Sequence, residues 1–323
     1  MIRRLFLSNL PHWAQPQHPV LRYQRGRTVQ PPARVRYLRA LGVILLGVLM
    51  LGAGYVVATG TFNRPAGQNW VEIINHTLYF PALALQVLAR VIAVALTSGT
   101  VADEIRRQNW DNLRATERGA ELTLRSRWAS VFYRLRGLIG VILVVRFILI
   151  ACLLWDLTAF QGKYIDLLIS GITPDISVVM AILLLAGTMT AAIILPITGI
   201  GFDASVGALI SSLVQTRAYS MLLQFLWLLF RVGITIVLSL EAARFLSGAL
   251  VTTDLNAWLL MGGYGAIGDW SLSYLNLGKY AEVWATVPYS IFFGLALMIF
   301  AIAQAFAADQ LLALAVRRAQ KRG

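Results

Sequence analysis

Six long apolar runs constrain this chain more than any other feature of it. Each is about 20 residues, enough for an α-helix to cross roughly 30 Å of hydrocarbon. A backbone in that medium must satisfy its own hydrogen bonds, so unbroken apolar runs specify helices and exclude an alternating-strand barrel. Spans are expected at 38–59, 78–97, 138–157, 176–199, 218–238 and 288–308. Only 13% of the 323 residues are charged and 58% are hydrophobic, which leaves little for a soluble domain. The expected fold class is all-α, a polytopic membrane protein with one six-helix domain over 38–314. A basic arm, 1–37, precedes that domain and a basic tail, 315–323, follows it.

Charge sets the expected topology. A net charge of +13 in a soluble protein would point to nucleic acid. Here the arginines flank the spans, so anionic lipid and orientation account for them and no nucleic-acid partner is expected. Segments assigned to the inside hold 21 Lys and Arg and those outside hold 4, which puts both termini in the cytoplasm. The expected location is a bacterial inner membrane. The first 13 residues lack the apolar core of a cleavable signal peptide.

Four further segments carry expectations. Residues 18–27 read as an interfacial helix with Val20, Leu21 and Tyr23 toward lipid, or as an irregular anchor. Gly42, Gly47, Gly52 and Gly54 in span 1 allow close helix contact, or reflect glycine's frequency in membrane helices. Pro196 should kink or end span 4, after which Val206, Leu209, Ile210, Leu213 and Val214 form one face of an interfacial helix. Residues 239–287 read as an outer region of short or re-entrant helices. Trp258, Tyr264, Trp270, Tyr274, Tyr280 and Trp284 give it an aromatic belt.

Catalytic chemistry is hard to assemble. There is no phosphate-binding G-x-x-x-x-G-K-[ST] loop, and His12, His18 and His76 are the only histidines. Cys152 is the sole cysteine, so no disulfide or thiolate metal site is expected. No catalytic, cofactor-binding or metal-ligating residue is assigned, and the chain is not expected to be an enzyme. No carboxylate falls near the middle of an expected span, which disfavours a proton- or sodium-coupled carrier. Arg90, Arg146 and Arg231 do lie within spans, at roughly 2.5–3.5 kcal/mol each. They either line a translocation path and meet an anion, or snorkel and bond backbone carbonyls. No acid on the expected spans is placed to neutralise them.

The densest charge lies at 98–137, between spans 2 and 3. Eight arginines and five carboxylates fall within 101–137, which reads as a cytoplasmic helix–turn–helix. Asp103→Arg107 and Glu121→Arg125 are acid-first i,i+4 pairs. The break is expected at Thr116-Glu117-Arg118-Gly119, with Gly119 able to take a positive φ. Beyond it Leu124, Trp128, Val131, Phe132 and Leu135 share one helical face that runs on into span 3. Such a segment offers its charged face to a partner, or serves only to orient the spans.

The stretch Glu104-Ile-Arg-Arg-Gln-Asn-Trp-Asp-Asn-Leu113-Arg-Ala-Thr resembles the permease subunits of ABC export transporters, the type-2 permease family. Bacterial members carry a Glu followed by Thr-Trp-(Asp/Glu)-x-Leu-x-x-Thr-Pro-Leu-Ser between spans 2 and 3. Glu104, Trp110, Asp111, Leu113 and Thr116 match; Asn109 replaces the Thr, and Glu117-Arg118-Gly119 replaces Pro-Leu-Ser. His18-Pro-Val-Leu-Arg is similar to the family's Asn-Pro-Val-Leu segment before span 1. The resemblance implies that this loop is a coupling helix, contacting a separate nucleotide-binding subunit through Glu104, Arg107, Trp110, Asp111, Leu113 and Arg114. It implies further that ATP and Mg belong to that partner, that a second permease copy or paralogue completes the path, and that the substrate is amphiphilic or anionic. The alternative is a non-transporting scaffold or accessory subunit of a larger membrane complex, such as a bioenergetic one.

Overall fold

A computed structural model describes residues 11–25, 32–56, 70–116, 118–159, 177–214, 216–246, 248–267, 287 and 289–321. Within them the chain is all-α and includes six helices long and apolar enough to cross a membrane. These are α2 (Ala33–Val56), α3 (Trp70–Ser98), α6 (Gly119–Ala159), α7 (Val178–Leu213), α8 (Arg217–Leu246) and α10 (Phe293–Lys321). Shorter helices are α1 (Pro19–Arg25), α4 (Thr100–Arg106), α5 (Trp110–Ala115) and α9 (Asp254–Ile267). The chain is a polytopic membrane protein.

Helix α7 is the hub. It packs most extensively on α10 and α3, then on α6, and touches α8 and α4. Lipid tails are as apolar as leucine, so membrane helices associate through close packing, which small residues permit. Ala89 and Ala93 of α3 accordingly meet Ile200 and Ala204 of α7 and Val131, Leu135 and Ile142 of α6. Ala191 and Leu195 meet Leu297 and Ala301 of α10 and Ala266 of α9. At Gly294 a side chain would land on the Leu184 carbonyl and the Thr188 hydroxyl, so glycine lets α10 lie directly against α7. The periphery is different. The most apolar stretches of α2 and α8 bury nothing within the chain, and no atom lies near the space beside Gly42, Gly47 or Gly52. Those glycines make no close helix contact within the described chain.

Three expectations change. The two segments at 176–199 and 203–216 are one helix, α7, capped by the Ser177 hydroxyl accepting from the Met180 N–H at 3.4 Å. Pro196 lies inside it. The stretch after Pro196 is not interfacial: Val206 and Ile210 are buried together with Asp203, Ser205, Ser211 and Ser212, because α3, α4 and α10 cover that end of α7. Leu21 points away from lipid; it is fully buried against Ala14, Ala129, Trp128 and Tyr133, which fastens α1 to α6. Finally, α10 continues past 308 to Lys321, and its last turns bury Leu312, Ala315, Val316 and Ala319.

Other expectations hold. Helix α6 runs unbroken from the charged segment into span 3. Helix α9 has 14 residues, about 21 Å at 1.5 Å per residue, too short to cross. It packs on α8 and α10, and the Trp258 indole donates to the Tyr289 carbonyl at 2.9 Å. Trp270, Tyr274, Tyr280 and Trp284 of the expected belt lie outside the described residues.

Candidate functional site

Two sites emerge, one within the bundle and one at the end where the arm, the loop and the tail of α10 gather. The inner site was not expected. Asp203 is fully buried on α7, 3.9 Å from the Arg90 guanidinium of α3 and 3.5 Å from that of Arg231 of α8. The Trp227 indole N–H donates to the same carboxylate at 3.3 Å. An acid therefore does pair with two of the span arginines, which share its one negative charge. Asp203 falls beyond the expected end of span 4 at 199, so hydropathy alone does not place it beside the span arginines. One signal was present: Asp203 is the only charged residue between Asp175 and Arg217. Alone in a long uncharged stretch, an acid needs a cation from another helix.

Arg146 of α6 has different partners. Its guanidinium donates to the Gln86 side-chain oxygen of α3 and to the Ala192 carbonyl of α7. Ala192 is four residues before Pro196, whose ring lacks the N–H that would normally bond that carbonyl. Arg146 supplies the missing donor, so α7 passes through its proline at membrane depth without an orphaned carbonyl. The Ala192 contact is a bond to a backbone carbonyl of a neighbouring span.

At the loop end, α4 begins with its Val101 N–H donating to the Ser211 hydroxyl of α7 at 2.7 Å, which meets a donor that no helix can satisfy internally. The chain reverses at Gln108, where φ is 58°. Only Gly248 among the described glycines has a positive φ, so Gly119 acts otherwise than expected. A side chain at Gly119 would strike the Leu113 carbonyl and Thr116 hydroxyl, so glycine permits the tight crossing of α5 over the start of α6. Glu121 pairs with Arg125 at 3.2 Å, as expected. Arg107 instead donates to the Tyr23 hydroxyl at 2.9 Å, which raises its pKa above the usual value.

The six loop residues assigned to partner contact divide. Trp110 is 6% exposed and packs against Val101, Leu124, Ala208 and Leu312, so it faces inward. Leu113 is half-buried beside it, and Glu104 is buried. Arg107 and Asp111 are exposed, as are Arg106 and Arg118. The side chain of Arg114 lies outside the described residues.

No family model, curated protein or solved structure matches the chain.

Beside the loop is a polar cavity of about 290 Å³ between α1, α4 and α6. Asp103, Glu104 and Arg107 line it from one side and Arg127 and Arg134 from another. Among the described residues, no three or more His, Cys, Asp or Glu side chains come together as metal ligands would.

Proposed function

We propose that this chain is the membrane-spanning permease subunit of an ABC-type exporter. It transmits motion from a separate nucleotide-binding subunit, which holds ATP and Mg, through the 98–137 loop. The observation that carries the reading is the inward anchoring of that loop. Trp110 and Val101 lock α4 and α5 against α6, α7 and α10, so a force on the exposed Arg106, Arg107, Asp111 and Arg118 reaches three spans as one body. The exposed charges set register on the partner, whereas Trp110 supplies rigidity. The chain itself carries no catalysis in this reading. Its basic end faces the cytoplasm of a bacterial cell and contacts anionic lipid, and a second copy or paralogue completes the path for an amphiphilic or anionic substrate.

The second reading, a non-transporting scaffold, is favoured by one observation. Arg90 and Arg231 share the Asp203 carboxylate and Arg146 bonds neutral acceptors, so each has its contacts within the chain without a substrate. Purification in mild detergent, with identification of co-purifying chains and their stoichiometry, separates the two. The exporter reading expects a P-loop ATPase that stays with the wild type and is lost from an Arg107→Ala, Asp111→Ala double variant of unchanged thermal stability. A stable complex without an ATPase, indifferent to both changes, establishes the scaffold.

A further inference from the structure

The cavity beside the loop brings together hydrogen-bond donors for an anion and acceptors for a cation, and no ion pair closes between them among the described residues. Among the described residues, each of its guanidiniums donates one hydrogen bond to the protein. Arg107 donates to the Tyr23 hydroxyl at 2.9 Å, Arg127 Nε to the Leu96 carbonyl at 2.9 Å, and Arg134 to the Gln24 carbonyl at 2.6 Å. A guanidinium has five N–H donors, so most remain available. The carboxylates of Asp103 and Glu104 line the same space and form no ion pair among the described residues. Gln24, more than nine-tenths buried, donates its amide to the Thr123 carbonyl at 3.0 Å, and its Oε1 has no hydrogen-bond partner among the described residues. Buried polar groups are normally satisfied, so an orphaned acceptor beside opposite charges that face one another without closing into ion pairs marks a space able to take a polar occupant.

The chemistry of that occupant follows. Three guanidiniums favour phosphate over a single carboxylate, because phosphate offers more acceptor oxygens in a geometry that arginine forks match. Two carboxylates and the Gln24 oxygen can accept from a ligand's ammonium while the guanidiniums hold its phosphate. The lining carries one positive charge in excess, which excludes a simple cation. The cavity also lies where α3 gives way to α4 and ahead of the most apolar part of α6, at one end of both helices. We infer that this cavity binds a zwitterionic phosphate of the phosphoethanolamine type, with the phosphate on Arg107, Arg127 and Arg134 and the ammonium on Asp103 and Glu104. The inference does not depend on the exporter reading.

Two sources share this chemistry, a free phosphomonoester and a lipid headgroup. The test uses the full chain in detergent, titrated calorimetrically with phosphoethanolamine, phosphocholine, inorganic phosphate and glycine. A parallel arm measures retention of phosphatidylethanolamine against phosphatidylcholine by native mass spectrometry. Phosphoethanolamine should bind about ten-fold more tightly than phosphocholine, whose trimethylammonium cannot donate, and than inorganic phosphate. Glu104→Gln should abolish that preference while keeping phosphate affinity, and Arg134→Gln should weaken both phosphates about ten-fold. Binding in the first arm assigns a free ligand, and selective retention confined to the second assigns the headgroup; each upholds the inference. Selectivity in neither arm, glycine binding as tightly as phosphoethanolamine, or selectivity untouched by Glu104→Gln in a folded variant overturns it.

Discussion

Two clusters in this protein use the same side chains to opposite ends. Around Asp203, two arginines and one carboxylate from three helices close on each other and on Trp227, with the carboxylate fully buried. Around the loop cavity, three arginines and two carboxylates stand near one another, yet the carboxylates form no ion pair among the described residues. Depth explains the difference. In hydrocarbon an unpaired charge costs several kcal/mol, so helices that bring one in must bring its partner. At the boundary water relieves that demand, and the same residues can stay apart and hold a space open. Where the carboxylate is fully buried the charges close on each other; beside the loop they line a cavity.

The sharpest way to break this comparison is Asp203→Ala. It strands Arg90 and Arg231 and should cost about 3–5 kcal/mol, seen as a large fall in detergent unfolding temperature. An unchanged midpoint would mean the cluster is not what joins α3, α7 and α8. Trp110→Ala should cost a comparable amount, about 3–5 kcal/mol, and should also open 99–118 to limited proteolysis. Arg146→Met comes next at roughly 1.5–3 kcal/mol, the worth of hydrogen bonds from a charged group. Pro196→Ala should rescue part of that loss, because it returns an N–H to the Ala192 carbonyl. A double-mutant cycle measures the coupling, and strict additivity would contradict the proline-compensating role. Glu104→Gln, on the open cluster, should leave the unfolding midpoint nearly unchanged, within about 0.5 kcal/mol of wild type. The smallest effect belongs to Glu121→Ala. It breaks a half-exposed pair and should cost only a few tenths of a kcal/mol, about 0.3–0.5, in the same unfolding assay.

Much of the fold was legible in the residue order because lipid enforces local rules. Six apolar runs became six spanning helices, the charged loop became two short helices, and α6 carried its amphipathic face into span 3. The sites were less legible. Hydropathy finds runs but not neighbours, so Pro196 looked like an end when Arg146, fifty positions away, allows α7 to continue. Trp110 resembled a docking residue by its motif, and only the packing of α10 beneath the loop turns it inward.

The sequence by itself determined that the chain spans a membrane as helices, since each helix meets its backbone hydrogen bonds within its own residues. Only the tertiary structure decided what the charges do. Asp203 meets arginines on α3 and α8, and Glu104 faces arginines of α6 across an open cavity. Whether opposite charges touch or stand apart depends on how helices remote in sequence are packed, and no local pattern encodes that distance.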